Sequence, residues 1–371
     1  MERIIVSLYK YKPAVASTIR VKAYIKCFLN MGYKVVLVTT SEEPIDLTDE
    51  RLSIVLFNEN KKGSSLSKLI NDLRLVRITK KVHKKGDIVY SYTVPLFGFL
   101  YRKKWNVFYE ETEIPMYGGM DDLFHRLTSK LRMCVIKRAK GLIVISKALK
   151  EYYCESGIND NKIMISNMTV DVSRFEGLVK QDVPRYIAYC GGISNHKDGV
   201  DVLIKAFAKV APRINELKLY VVGKFVMPEE ETYDKQLAES LGIKDKVVFP
   251  GAIPSTDIPQ MLKNAECLVL ARPESKQAKY GFPTKLGEYL LTGNPVVVTA
   301  VGEIPLYLKD RQDAYLSKPG DVDDIASCIY EALTSTDAKA IGVSGRTVAM
   351  DNFNSEIESR KVVAFFEEKA Y

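Results

Sequence analysis

The run Lys279-Tyr280-Gly281-Phe282-Pro283-Thr284-Lys285-Leu286-Gly287-Glu288-Tyr289-Leu290-Leu291-Thr292-Gly293-Asn294-Pro295-Val296-Val297-Val298 decides how this chain is read. Gly281 lets backbone approach a ligand closely, because no side chain stands between them. Pro283 suits a first helical position, where its missing N–H costs nothing. A helix is expected from about Thr284 to Gly293. Pro295–Thr299 follows as a strand, its β-branched run typical of one buried on both faces. The free N–H groups and dipole at the helix start form an anion site suited to a diphosphate. Glu288 falls one turn further in, on the same face as Thr284, where a carboxylate accepts hydrogen bonds from a ribose diol. Alone it would read as a surface glutamate; the surrounding spacing reverses that.

Working outward, strands and helices alternate in both halves. Arg3–Ser7, Lys34–Thr39, Asp87–Tyr90, Trp105–Tyr109 and Gly141–Ile145 read as strands of the first half. Ile19–Met31 has helical spacing and ends at Gly32, and Ser146 is placed to cap a helix. The second half starts again after Asp171–Lys180. Its strands are Arg185–Cys190, Leu217–Val222, Lys246–Phe249, Ala265–Leu270 and Pro295–Thr299, with a helix over Val200–Ala211. A last helix, about Ser355–Glu368, shows an apolar face at Val362, Val363 and Phe366. This alternation implies an α/β protein with two doubly wound parallel sheets, whose ligands sit beyond the carboxyl ends of the strands.

Composition sets the bounds. A length of 371 residues suits two domains, and 46% hydrophobic with 27% charged residues is a globular balance. The start, Met1–Ser7, is too short an apolar stretch for a signal peptide, and no run approaches the roughly 18 apolar residues of a membrane span. A cytoplasmic location is expected. Cys27, Cys134, Cys154, Cys190, Cys267 and Cys328 form no CxxC pair and read as reduced thiols. With only His83, His125 and His196, a histidine-rich metal site is not expected. Residues 1–180 hold 31 Lys and Arg against 19 Asp and Glu, and residues 181–371 hold 23 against 27. The basic half points to an anionic partner, nucleic acid or lipid headgroups, or to a solvated lysine-rich surface.

Three loops are candidates for chemistry. Gly191-Gly192-Ile193-Ser194-Asn195-His196-Lys197-Asp198-Gly199 follows a first strand, and Lys197 is placed to hold phosphate as a point charge. His196 reads as a loop residue. Neither this turn nor the Gly281 block matches GxxxxGK[ST], which disfavours nucleoside triphosphate hydrolysis. Lys12–Arg20 leads into a helix, with Arg20 either a phosphate contact or a surface arginine. Glu110-Glu111-Thr112-Glu113-Ile114-Pro115 follows a strand; Glu113 and Glu111 are candidate acids there, or a solvated charge cluster. Asp321-Val322-Asp323 reads as a helix cap rather than a metal-binding DxD pair.

With these residues assembled, the second half resembles the donor-binding domain of retaining GT-B glycosyltransferases of family 4. The matching segments are Gly191-Gly192 to Lys197, Phe249-Pro250-Gly251 to Asp257-Ile258-Pro259, Gly281–Lys285 to Glu288-Tyr289, and Gly293–Val297. Ile143–Ser146 and Ser166-Asn167-Met168 to Asp171 and Phe175 also fit. The resemblance covers about residues 130–335 well and the first 130 loosely. It implies a GT-B fold of two Rossmann-like domains around a cleft. These would be an acceptor-binding domain over 1–178, a donor-binding domain over 179–354, and a helix over 355–371 crossing back to the first domain.

The resemblance further implies that Lys197 and backbone around Gly281, Phe282, Pro283 and Thr284 hold a donor diphosphate. Gly191 and Gly192 would let it lie against the turn, Glu288 would bind the ribose, and backbone near Ile253 the base. Lys197, Glu113 and Glu111 are the catalytic candidates, with Arg20 a further phosphate contact. The implied activity is a configuration-retaining hexosyl transfer (the EC 2.4 class) from a UDP- or GDP-sugar, with no cofactor and no metal. The acceptor would be a glycan or lipid-linked glycan, as in capsule or O-antigen synthesis, near an anionic membrane surface and without nucleic acid. Two departures stand out: Tyr280 replaces a common acidic residue, and Gly192 a common arginine. An epimerase of the same architecture and a weakly catalytic nucleotide-sugar binding protein are the rival readings.

Overall fold

The computed structural model describes residues 3–13, 15–60, 65–114 and 123–370. Met1, Glu2, Ala14, Pro115 and the side chain of His125 lie outside the described residues. The chain forms two units: Met1–Thr169 with Ser355–Tyr371, and Val170–Asn354. The first stretch ends at Thr169 rather than at the expected 178. Beyond that point the Val170 amide donates to Phe353 O at 2.8 Å, and Val170 pairs with Asn354, so residues 170–178 are tied to the second unit.

Among the described residues the first unit is built on seven parallel strands. They are β1 (Arg3–Tyr11), β2 (Lys34–Ser41), β3 (Leu52–Leu56), β4 (Ile88–Tyr92), β5 (Asn106–Glu111), β6 (Gly141–Val144) and β7 (Ile163–Ile165), in the order β3-β2-β1-β4-β5-β6-β7. The central strands are continuous buried apolar runs, as strands covered on both faces must be. The terminal helix Ser355–Ala370 joins this unit through Phe366, whose ring lies 4.5 Å from Phe108, 6.0 Å from Tyr90 and 6.2 Å from Phe28. Ser146 caps the helix Lys147–Glu155 by accepting from Leu149 N at 3.0 Å.

Arg20 corrects an expectation. It is neither a phosphate contact nor a surface residue but is buried, on the helix Ala16–Asn30. Its Nε donates to Glu110 Oε1 at 2.5 Å, its Nη1 to Asn167 O at 2.5 Å and its Nη2 to Ser166 O at 2.9 Å. Glu110, at the end of β5, also accepts from Tyr90 Oη. Ser166 Oγ and the Asn167 amide donate in turn to Glu358 of the terminal helix, at 3.1 and 3.0 Å. Two charges withdrawn from water are tolerated because they pair with each other and hydrogen-bond to Asn167 O, Ser166 O and Tyr90.

The second unit, among the described residues, has six parallel strands: β8 (Tyr186–Cys190), β9 (Lys218–Val222), β10 (Val247–Gly251), β11 (Cys267–Leu270), β12 (Val296–Thr299) and β13 (Tyr315–Ser317). Their order is β10-β9-β8-β11-β12-β13. The order reverses between β8 and β11, and a doubly wound sheet opens its ligand crevice at such a point. Asp321 caps the helix Val322–Thr334, accepting from the amides of Asp323 (3.1 Å) and Asp324 (3.0 Å).

Arg20→Met should strand the Glu110 carboxylate and cost the first unit roughly 3–5 kcal/mol, as breaking a buried pair does. Trp105 is the chain's one tryptophan and lies in the first unit, so its fluorescence through a urea titration reports that unit. A midpoint unchanged from the parent protein would contradict this role.

Candidate functional site

The crevice between β8 and β11 is floored by a turn that only glycine allows. Gly191, at φ +155°, leaves β8 with its amide donating to Val222 O at 2.9 Å. Gly223, at φ +144°, leaves β9 beside it. A Cβ on Gly223 would stand 1.7 Å from Gly191 O, inside any van der Waals contact. The chain then enters the short helix Asn195–Asp198, where Ser194 accepts from Lys197 N at 3.4 Å. Lys197 is half-buried on this helix, and Gly192 and His196 are exposed.

The helix expected from Thr284 to Gly293 spans Thr284–Leu291. Pro283 stands at its cap rather than at its first helical position, and no side chain caps the start. Phe282 turns its ring into the core, against Tyr307 and Phe353, with centroids 5.5 and 5.3 Å away. That leaves the backbone of Gly281–Thr284 to face a ligand. Glu288 is 23% exposed and accepts from Arg174 Nη1, while Arg174 Nη2 donates to Ser255 O at 2.9 Å. Burial raises the Glu288 carboxyl above the usual carboxylate range, and the Arg174 guanidinium pulls it back. Ser255 lies two residues after half-buried Ile253 on the exposed loop that follows β10, so one arginine links the expected ribose contact to the loop of the expected base contact.

Three further side chains were not singled out from the sequence. Lys285 Nζ lies 2.8 Å from Asp198 Oδ2 and donates to Tyr189 Oη at 2.7 Å; Asp198 is buried. Arg272, buried just after β11, contributes to holding the Lys285 amine down. A signal for Lys285 existed: a cation in the first turn of a helix opposes the helix dipole and needs a local reason. For Arg174 no local signal exists, since its partner is 114 residues away.

In the first unit the acidic candidates separate. Glu111 is buried, accepting from Arg132 and from Val94 N at 3.1 Å. Burial raises its carboxyl and Arg132 lowers it. It is a structural ion pair rather than a solvated or free acid, because β5 carries it into the sheet. Glu113 is exposed on the loop beyond β5. A cavity of about 420 Å³ opens beyond the ends of β1 and β4, lined by residues including Tyr9, Glu59, Asn60, Asn71, Asp72 and Thr93. Asn71 donates to Tyr9 Oη at 2.8 Å and accepts from Asn60 N at 2.8 Å. Asp72 accepts from Phe97 N at 3.0 Å, and burial pushes its carboxyl up to about 6. Amides, carboxylates and one aromatic ring are the groups that recognise the hydroxyls and apolar face of a sugar.

Residues 184–335 match the family of glycosyl transferases group 1. The chain is 30% identical over 179 residues to mannosylfructose-phosphate synthase of Agrobacterium fabrum, covering 46% of this chain and 37% of that protein. It is 30% identical over 162 residues to a GDP-mannose-dependent alpha-(1-6)-phosphatidylinositol monomannoside mannosyltransferase of Mycolicibacterium smegmatis, covering 42% and 41%. The chain thus spans less than half the length of these two relatives. Anabaena HepE, solved in complex with UDP, shares the fold with a TM-score of 0.75 at 16% identity, over 99% of this chain and 100% of that one. The two parallel-sheet units are those of the GT-B fold.

Asp72 supplies a pH test of the cavity. Its folded value, about 6, lies above the usual 3.8, so the folded state holds the proton more tightly. This contribution is complete below about pH 4 and is lost as pH rises through 6. Asp72→Asn should therefore gain stability over the parent as pH rises from 4 through 6, reaching about 3 kcal/mol at pH 7, read through Trp105 fluorescence. An equal offset at pH 4 and pH 7 would contradict the shift.

Proposed function

We propose, from a second unit that belongs to the group 1 glycosyl transferases, that this chain moves a sugar from a nucleotide-sugar donor to a carbohydrate acceptor. The observation that carries the reading is the convergence at one sheet switch point of Lys197, the uncapped start of Thr284–Leu291 and Glu288. A cation and helix amides suit a diphosphate, and a carboxylate one turn along suits a ribose.

In the reaction we envisage, the bond between the anomeric carbon and the donor's distal phosphate oxygen breaks. An acceptor hydroxyl bonds to that carbon on the same face, so configuration is retained. Its proton passes to the departing phosphate. Negative charge grows on the diphosphate as the bond lengthens. Lys197 and the helix N-terminus stabilise that growing charge more than the ground state, which lowers the barrier. No metal is invoked in this scheme. A relative that uses GDP-mannose and a fold neighbour solved with UDP favour a UDP- or GDP-linked sugar, and the former's phosphatidylinositol mannoside acceptor favours a lipid-linked glycan, which we place in capsule- or O-antigen-type synthesis. The polar cavity of the first unit suits the acceptor sugar, with exposed Glu113 on the loop beyond β5. That unit also holds 32 Lys and Arg against 21 Asp and Glu, which favours a peripheral contact with an anionic membrane face, on the cytoplasmic side. Among the described residues no helix is long and apolar enough to cross a membrane.

Glu288→Ala should weaken binding of the donor nucleotide by roughly 1.5–3 kcal/mol, the worth of a hydrogen bond to a charged group, measured by calorimetry. Unchanged affinity in the folded variant would remove Glu288 from the site. Lys197→Ala should lower kcat about 100- to 1000-fold at saturating donor, with a smaller effect on donor affinity. A kcat close to the parent's would sink the charge-stabilisation scheme. Tight donor binding by the parent with no turnover on any glycan would instead leave a nucleotide-sugar binding protein.

A further inference from the structure

The turn after β8 carries no cation of its own at Gly192, although a diphosphate seated there brings at least two negative charges. A cation reaches the turn from elsewhere. Lys285 is the second residue of the helix Thr284–Leu291, and its side chain runs back across the turn. A Cβ on Gly191 would stand 2.7 Å from Lys285 Cε and 3.0 Å from its Nζ. A Cβ at 191 would force the end of that lysine to shift, so glycine there admits a side chain of the protein as well as a ligand. We infer that Lys285 is a diphosphate-binding residue of this site and takes the place of the cation missing at Gly192.

Its surroundings fix it for that task. Asp198 Oδ2 lies 2.8 Å from Nζ and Tyr189 Oη 2.7 Å, and Tyr189 Oη also donates to Gly192 O at 2.5 Å. One tyrosine therefore ties the ammonium to the turn that the phosphates would rest on. Asp198 and Tyr189 account for two of the three ammonium N–H groups, leaving one for a phosphate oxygen. Lys285 is 16% exposed, so the charge is shielded from bulk water yet reachable. Burial holds its amine below the usual value, Lys197 and Arg272 push it further down, and Asp198 opposes them. Asp198 already offsets part of the repulsion that Lys197 and Arg272 exert on Lys285, and a diphosphate on the remaining N–H would offset more of it. Asp198 acts as a positioning residue: it orients the lysine and keeps it charged. Because the distal phosphate lies over the turn in this arrangement, Lys285 should discriminate nucleoside diphosphate from monophosphate.

This inference rests on the proposed function, and the test separates the two. Calorimetry on the full chain would compare uridine and guanosine diphosphates with their monophosphates. Removing the lysine alone leaves Asp198 buried and unpaired, so the informative variant is Lys285→Met with Asp198→Asn, and Lys285→Arg is the conservative partner. Against the diphosphate that binds the parent, the double variant should lose about 10- to 100-fold in affinity, as loss of a charge-assisted contact does. The matching monophosphate should lose less than about threefold, and Lys285→Arg should recover most of the diphosphate affinity. Diphosphate binding within about twofold of the parent, in a double variant with the parent's melting temperature, would overturn the inference alone. A parent that binds neither diphosphate would overturn the proposed function and this inference with it.

Discussion

The second unit depends on one close crossing of backbones. Where β8 and β9 end, Gly191 O occupies the space a Cβ on Gly223 would fill, and the Gly223 amide continues the ladder to Gly251 O at 3.0 Å. No side chain fits in that ledge. It holds three strand ends side by side, and the missing Cβ of Gly191 leaves room for the Lys285 side chain. Lys285 is the second residue of Thr284–Leu291, whose start no side chain caps.

The two units use buried charge differently. In the first, Arg20 with Glu110 is a closed pair, almost fully buried and hydrogen-bonded within the protein. With Ser166 and Glu358 it holds the helix Ala16–Asn30, the end of β5 and the terminal helix together. In the second, Arg174 and Glu288 are each about a quarter exposed, and Lys285 reaches water at 16% exposure beside buried Asp198. An ion pair of the first kind costs stability if opened; one of the second kind can exchange its partner for a ligand with less penalty.

Much of this was legible in the residue order. Buried strands announce themselves as unbroken apolar runs, so β2, β8, β11 and β12 were readable, and the helix from Thr284 was marked by Pro283. The half-exposed edge strand β3, and β7 and β13 with three residues each, carry too little pattern to separate from loop. The pairings Arg20–Glu110 and Arg174–Glu288 span 90 and 114 residues, so no local spacing encodes them. That is why Arg20 read as a phosphate contact and Glu111 as an acid, when the fold uses both as internal ties. Gly192 stands where the resemblance puts an arginine, and the cation we assign to that turn is a lysine 93 positions later in the chain.

The central claim is that the second unit's strand ends hold the diphosphate of a nucleotide sugar. Titrating the intact protein with UDP- and GDP-linked hexoses, beside the same hexoses as free sugars and as sugar 1-phosphates, tests it most directly by calorimetry. The account predicts that one nucleotide series binds, with affinity carried by the nucleoside diphosphate and little by the sugar alone. Equal binding of the sugar 1-phosphates, or no heat from either nucleotide series, would contradict it.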